Sequence, residues 1–545
     1  MNISLSTTPS TPPPLITNLS TEQAAAVDFV TSTSSNLVLI APAGSGKSYT
    51  LEAILCAINH TYPTAHCAVL SFNAKIETEL DSKVRKRGIL HTTVRTAHKY
   101  GKRACENHLG AFKHKTINKF KIHDLLKAYP INIPWAVQKT LERLISLGKD
   151  AGVGIFLPNT RSTWESLFNH HDLDFDEEKF SVSRFYTIAE NVLNLSNQNT
   201  TTLDISDLIY MPLYHNWPIP QYDFVIVDEA QDINACRREL IKRMLKTTTL
   251  TNPDFPDGPD EHDGPWSKGW EERNGRLSSG RLIAVGDPHQ AIYGFTGADH
   301  DALSLLTSNF NATTLLLTLS RRCSKSVIRL AQQFNPSINA LPDAPEGSTT
   351  KVDQETFYRY LPSIPPTSAV LCRLNAPLIV TAIHCLRNNI PCRIEGNDVA
   401  KQLLTIIWKL KPENIADVHR GIARYRAEQQ AKLSPWKFET LDDKLTCCSL
   451  LAHTLHPTVS VKNLEYLITS LFSDYDPTLP PTLTFSSVHK SKGLEFPSVY
   501  LLGRNLYMPS RRASLPWMLT QETNLIYVAI TRAITHLIDV DMTEQ

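Results

Sequence analysis

No uninterrupted apolar run in the 545 residues approaches the roughly 20 needed to span a bilayer, so no membrane partner is expected. The opening MNISLSTTPSTPPPLITN lacks both a basic start and an apolar core and does not read as a secretory signal. Its Ser, Thr and Pro content predicts a disordered tail over residues 1–18. Among ten cysteines there is no CxxC pair, which argues against a zinc ribbon or a cysteine-ligated cluster and leaves free thiols of a reducing compartment. Charge of one sign is also lacking. Lys and Arg number 55 against 54 Asp and Glu, so global electrostatics gives no argument for a polyanionic partner. No short-period repeat is present, which excludes solenoids and propellers.

What is there reads as an ordinary globular balance, 42% hydrophobic and 20% charged, over a length that suggests roughly three or four domains. Short apolar runs resemble strands buried on both faces: Leu37–Ile40, Ala68–Leu70, Phe224–Val227 and Leu282–Val285, then Leu315–Leu317, Ala369–Leu371, Val499–Leu502 and Leu537–Val540. Helical patterns alternate with them, which predicts two α/β units in tandem. Helix-like stretches interrupt at 101–203 and 396–479, and residues 249–280, rich in Gly, Pro and Asp, read as a surface loop. Locally, charge does concentrate: thirteen Lys/Arg lie between Lys83 and Lys127, with Glu106 and Asp124 opposing them in that window. Such a cluster either contacts nucleic-acid phosphates or is a solvated face.

The sharpest motif is Ala41-Pro42-Ala43-Gly44-Ser45-Gly46-Lys47-Ser48, between an apolar strand and a helical pattern. It fits a phosphate loop: Gly44 and Gly46 let backbone N–H groups turn inward, Lys47 reaches the β- and γ-phosphates, and Ser48 ligates Mg²⁺. A second strand, Phe224–Val227, ends in Asp228 and Glu229 at what would be the carboxyl edge of the sheet. Asp228 suits a Mg²⁺ ligand, and Glu229 a general base for the attacking water.

Together with Asp228-Glu229-Ala230-Gln231-Asp232, this loop resembles superfamily 1 helicases of the UvrD/Rep/PcrA group, with a flavour of phage and F-box DNA helicases in Phe72-Asn73-Ala74-Lys75 and Asp207-Leu208-Ile209-Tyr210. The resemblance runs in order from Leu19 to about Val540. It implies an α/β fold of two tandem RecA-like P-loop NTPase domains with two mainly helical inserted domains. Motor domain 1A would comprise 19–100 and 204–310, insertion 1B 101–203, motor domain 2A 311–395 and 480–545, and a short insertion 2B 396–479.

By the same resemblance, Gln23 in a Q-motif-like Leu19–Gln23 reads adenine, although Ser20 and Gln23 are also spaced as a helix cap. Ala43, Gly44, Ser45, Gly46, Lys47, Ser48, Arg321, Gly493 and Glu495 line the ATP site. Gln290, Arg322 and Arg532 join Lys47, Asp228 and Glu229 as catalytic residues, and Ser48 and Asp228 hold Mg²⁺. Phe72, Asn73, Thr96, His98, Tyr293, Phe295, Arg373, Asn375 and His489 contact single-stranded DNA; taken alone, without its neighbours, His98 is more often structural, and Tyr293 and Phe295 could simply be core. Two positions depart from the group: Thr296 stands where Arg is usual, and Arg321 where Tyr is common.

The form of the later motifs, HKSKGLEF and YVAITRA, resembles the 3′-to-5′ branch. The implied protein is a monomeric, ATP-dependent DNA helicase of replication, repair or recombination, acting on single strands and single/double-strand junctions. It would be cytoplasmic, or nuclear in a eukaryote, with loading or repair proteins as partners. A translocase that strips bound proteins and a DNA-binding scaffold with a degenerate ATPase are the alternatives.

Overall fold

A computed structural model describes residues 15–110, 116–177, 180–247, 279–294, 297–299, 301–433, 435–473, 481–511 and 513–543. Most of the expected disordered tail, nearly all of the 249–280 loop, Phe295 and Thr296 lie outside the described residues.

Two parallel sheets organise the chain. The first contains β1 (Leu37–Ile40), β2 (Cys67–Ser71), β3 (Thr92–Thr96), β4 (Phe224–Val227), β5 (Arg281–Gly286) and β6 (Thr313–Leu316), in the order β3-β2-β4-β5-β1-β6. Its central strands, LVLI, FVIV and RLIAVG, are buried on both faces because helices cover both sides. The second sheet contains β7 (Ser348–Asp353), β8 (Ala369–Cys372), β9 (Cys392–Glu395), β10 (Phe472–Ser473), β11 (Leu483–Ser487), β12 (Phe496–Leu502) and β13 (Ala533–Asp541). Its order is β7-β13-β12-β8-β11-β9-β10, and every pairing in both sheets is parallel.

Strands β3 and β7 escaped the reading of apolar runs because they are edge strands, Thr92-Thr93-Val94-Arg95-Thr96 and Ser348-Thr349-Thr350-Lys351-Val352-Asp353, largely open to solvent. Past the expected boundary at residue 310, strand β6 pairs with β1 at the edge of the first sheet. One helix, Ala97–Leu109, runs through the expected boundary at residue 100.

Between β3 and β4 lies a helical segment that includes Lys121–Lys127, Trp135–Ala151, Arg161–His170, Val182–Gln198 and Asp207–Tyr214. It is not detached: one apolar cluster runs from Val38 and Val225 in the sheet through Leu144 and Trp164 to Phe185. Between β9 and β10 lie Asn397–Leu410, Ile415–Gln430, Pro435–Ala452 and Val461–Leu471, which share a core with the second sheet through Leu403, Leu451, Ile468 and Phe485. Among the described residues no helix is long and apolar enough to cross a membrane.

Candidate nucleotide cleft and strand track

The catalytic motifs of the first unit all follow strand ends at the carboxyl edge of its sheet, where the loops of a parallel sheet are free to form a site. The phosphate loop follows β1 and feeds the helix Lys47–Thr61. Gly44 and Gly46 have φ of +75° and +86°, which side chains rarely adopt, and a Cβ on Gly44 would lie 2.6 Å from both Arg322 Cβ and Ser320 Oγ. The Ser45 hydroxyl is buried and unpartnered in this turn. An orphaned donor, inward-turning glycines and the Lys47 ammonium fit a bound polyphosphate.

Asp228 and Glu229 follow β4. Glu229 sits in the left-handed region at φ +51°, a strained placement for a side-chain-bearing residue that aims its carboxylate at Lys47 Nζ, 3.4 Å away. Burial, reinforced by Glu229 beside it, pushes the Asp228 carboxyl up. Burial alone would raise Glu229 too, but Lys47 and Lys492 outweigh it and hold that carboxyl low. Environment therefore separates the two adjacent acids, and Glu229 stays ionised.

A hydrogen-bonded chain then ties this pair to the rest of the cleft. Gln231 Nε2 donates to Glu229, and Gln231 Oε1 accepts from the Asp287 amide at 3.0 Å. Gln290 Nε2 donates to Asp287 Oδ2 at 2.7 Å. The Tyr527 hydroxyl, from the helix Pro516–Ile530 of the second unit, donates to the same carboxylate at 3.3 Å and accepts from the Ala43 amide at 3.1 Å. Asn524 on that helix donates to the Pro288 and Ala291 carbonyls. Tyr527 and Gln231 were not singled out from the sequence. Each lies inside a quoted motif string, but nothing local marks Tyr527 as reaching a loop 484 residues earlier.

The second unit contributes the opposite wall. Arg322 pairs with Glu495 at 2.5 Å. Arg532 is 1% exposed, and its donors are taken by carbonyls of Val528 and Leu494 and by the Thr531 hydroxyl, with no carboxylate among these partners. Burial and the neighbouring Arg322 lower it to about 10, so it remains a cation at neutral pH. Together these residues bound a cavity of about 590 Å³ whose walls also include Lys47, Ser48, Glu229, Gln290 and Gly493. At its far end, Arg321 donates its amide to the Gly44 carbonyl at 2.8 Å and its guanidinium to Gln23 Oε1 at 3.3 Å. Gln23 also completes the helix cap with Ser20 and donates to Thr50 Oγ1.

Ser48 and Asp228 both line this cavity. Among the described residues no group of three or more His, Cys, Asp or Glu is placed to hold a metal unaided. That donor set fits Mg²⁺ shared with phosphate oxygens rather than caged by protein.

Beside the cleft, Phe72 and Tyr293 stack with centroids 5.3 Å apart and planes at 17°. Lys492 Nζ lies 4.8 Å from the Tyr293 centroid and bonds Asp232 Oδ2 at 2.7 Å and the Gln290 carbonyl at 2.8 Å. Lys492, also missed from sequence, thus joins the aromatic pair to the nucleotide loops. Thr96 is the N-cap of the helix Ala97–Leu109, and His98 in its first turn shares a cavity with Phe72; burial with Arg237 nearby lowers His98 to about 4. Asn73 caps the helix Ala74–Lys86 through the Ile76 amide.

Three expected strand contacts have other partners here. Arg373 grips Glu522 with paired bonds at 2.8 and 2.9 Å and faces Glu439; Asn375 bonds Asp443 through its side chain and backbone; His489 accepts Tyr293 Oη on its carbonyl while its ring is buried. The carboxylates come from distant helices, so no reading of the local motif reveals them. The basic cluster changes as well. Lys83, Arg85, Arg87, Lys99 and Lys102 pair with Glu79, Asp81, Glu52, Glu77 and Glu106, and Lys121 is buried against Asp207. Most of those acids lie outside the counted window, which is why the cluster looked unopposed.

Finally, Trp517 of the second unit donates its indole N–H to the His170 carbonyl at 2.9 Å and stacks on that ring at 5.9 Å. The contact lies beside Gly294, against which Gln521 and Trp517 abut.

A phosphate loop, a strand-end acid pair and a facing wall of arginines from a second parallel sheet define a P-loop NTPase whose site is shared between two units. Comparison with known proteins places it further. A model of the UvrD/REP helicase N-terminal domain matches residues 19–311, more than half of the chain, and one of the UvrD-like helicase C-terminal domain matches residues 482–538. The chain belongs to the UvrD/REP helicase family. It is similar to F-box DNA helicase protein 1 of Schizosaccharomyces pombe, 25% identical over 414 residues that cover 69% of this chain and 41% of the relative. It is also similar to ATP-dependent DNA helicase UvrD2 of Mycobacterium tuberculosis, 25% identical over 314 residues covering 47% and 43%, and to a probable DNA helicase II homolog of Mycoplasma capricolum, 25% identical over 164 residues covering 29% and 18%. In each case the match spans less than half of the relative's length.

Proposed function

We propose that this chain is an ATP-dependent DNA helicase that moves 3′-to-5′ along single-stranded DNA. The observation that carries the reading is the division of one cleft between two sheets. Lys47, Asp228, Glu229 and Gln290 come from the first, and Arg322 and Arg532 from the second. In this reading the sheets are RecA-like motor domains, the helical segments following β3 and β9 are the inserted domains 1B and 2B, and ATP and Mg²⁺ are the cofactors.

Lys47 and the loop amides bind the β- and γ-phosphates, while Gln23 and Arg321 bound the base end. Ser48 and Asp228 would hold Mg²⁺, which supplies charge neutralisation on the phosphate oxygens. Glu229, ionised and aimed by its backbone, orients water and takes its proton. Arg322 and Arg532 stabilise charge on the transferring group, which requires both units to be closed. When that charge leaves, the attraction between the walls falls and the cleft opens. Lys492 and Tyr527 carry the change to the Phe72–Tyr293 pair, whose faces suit bases of any sequence.

The reading is tested by unwinding of labelled duplexes with a 3′ or a 5′ single-stranded tail, with and without ATP. Only the 3′-tailed duplex should open, and only with ATP. Preference for the 5′ tail overturns the polarity, and ATP hydrolysis indifferent to single strands overturns the motor.

A further inference from the structure

Among the five described basic residues of the 83–127 cluster that are not ion-paired, Arg95 and Arg103 converge on one place. The side chain of neither has an ion pair or hydrogen bond among the described residues. Both line a cavity of about 460 Å³ on the outer edge of the first sheet, away from the nucleotide cleft. Arg95 projects from edge strand β3, and Arg103 from the following helix, Ala97–Leu109. The remaining wall carries Thr93, His66, Asn107, Gln221 and two phenols, Tyr100 and Tyr222, whose rings meet edge-on at 5.8 Å.

Among the described residues no carboxylate lines this cavity. The nearby Asp223 is already taken by the His66 amide and by Lys246, and Glu106 by Lys102. Both guanidiniums act on the Tyr222 phenol, against the upward push of its burial, which places their charge at the cavity itself. Two arginines, an imidazole and several neutral hydrogen-bonding groups around a pocket whose described lining has no acid make a receptor for an anion with several oxygen acceptors. A guanidinium gives phosphate paired N–H donors, and two of them from different elements fix its position.

We infer that this pocket is a second nucleic-acid site, which binds backbone phosphate of the substrate outside the strand track. The placement favours nucleic acid over a free anion. Arg95 and Thr96 are consecutive on β3 and point to opposite faces of that edge strand, so the pocket lies across one strand's width from the expected contacts at Thr96 and His98. Phosphate contacts of this kind carry no sequence information; they add affinity and fix the orientation of the duplex arm. The inference rests on the nucleic-acid reading above, but it can fail separately.

The test uses the full chain and a fluorescein-labelled duplex with a 3′ single-stranded tail, followed by anisotropy across a salt series. Arg103→Glu should weaken binding roughly five- to tenfold at low salt and lower the magnitude of the salt slope by about one. Gln221→Glu, which places a negative charge on the opposite wall, should act in the same direction. Hydrolysis of ATP without nucleic acid should match wild type in both and reports that each is folded; Arg103→Gln, with a smaller effect of the same sign, serves if Arg103→Glu does not fold. Unchanged affinity and slope in folded variants overturn the site, whereas loss of strand-stimulated hydrolysis in the wild type itself would overturn the helicase reading instead. Millimolar inorganic pyrophosphate provides the other arm. Binding at Arg103 that the tailed duplex does not displace would make the pocket a small-anion site and refute the inference.

Discussion

Lys47 stands in the phosphate loop and faces Glu229, so the proposed hydrolysis is probed most directly there. Lys47→Ala should abolish strand-stimulated ATP hydrolysis, read as phosphate release. Tyr527→Phe is a finer probe: it removes one hydroxyl that joins Ala43 to Asp287 across the cleft and leaves the ring in place. The net worth of a buried hydrogen bond is about 1 kcal/mol; of the three bonds lost, two span the cleft and the third comes from Asn335 in the second unit itself, so kcat/KM should fall roughly 5- to 30-fold in steady-state assays. Histidine protonation gives a residue-scale prediction with a definite sign. His98 and His489 both titrate near 4 when folded, against an ordinary value of 6.5, in each case first because of burial. Between those values the unfolded chain binds more protons, so stability falls as pH drops from 6.5 towards 4. His98→Gln should lessen this dependence by up to about one proton in denaturant titrations across that window. Above 6.5 both rings are neutral, and strand affinity should not vary through them.

At the level of elements, the helical segment after β3 is fastened by buried charge. Lys149 Nζ bonds Asp204 and Asp207 at 2.6 Å each, and Lys121 Nζ reaches Asp207 at 2.7 Å and the Ser196 carbonyl at 2.8 Å. These bonds join the helices Lys121–Lys127, Trp135–Ala151 and Asp207–Tyr214, whose apolar faces continue into the core of the first sheet. Removing one partner strands the other charges away from water. Lys149→Met should therefore cost about 3–5 kcal/mol in chemical denaturation, far more than an exposed pair such as Lys83 and Glu79. The basic 83–127 cluster thus includes ion pairs, a buried staple at Lys121, and the arginines Arg95 and Arg103 that line one cavity.

For the molecule as a whole, the two walls of the cleft predict a cooperative requirement. Arg322→Ala or Arg532→Ala should depress the hydrolysis rate by about a thousandfold or more, as for an arginine supplied across an interface, while ATP binding measured by equilibrium titration falls much less. The Trp517–His170 contact joins the first helical segment to the second unit beside the aromatic track. Trp517→Ala removes a hydrogen bond and a stacking contact worth about 1 kcal/mol, so the association rate of an oligonucleotide should rise about fivefold in stopped-flow fluorescence. A rate unchanged or lowered would mean that this contact does not restrain strand entry.

The sequence by itself determined where the candidate site of the first unit lies. A phosphate loop and an acid pair are contiguous strings at strand ends, so the meeting of Ala43, Gly44, Gly46, Lys47, Ser48, Asp228 and Glu229 in one cavity was legible. So were the buried strands LVLI and FVIV, whose apolar runs allow no solvent-facing side. Edge strands β3 and β7 were not, because half-exposed strands carry polar residues, and neither was the transfer of β6 to the first sheet, which depends on a pairing with β1 rather than on its own sequence. Only the tertiary structure decided which charges were spoken for. It committed Arg373 to Glu522 and Asn375 to Asp443, and neutralised much of the basic cluster with acids from elsewhere. It also brought Tyr527 and Lys492 onto loops hundreds of residues away, so that nucleotide cleft and strand track are joined. Charge and hydrogen bonding act through distance in space, and folding, not order along the chain, sets that distance.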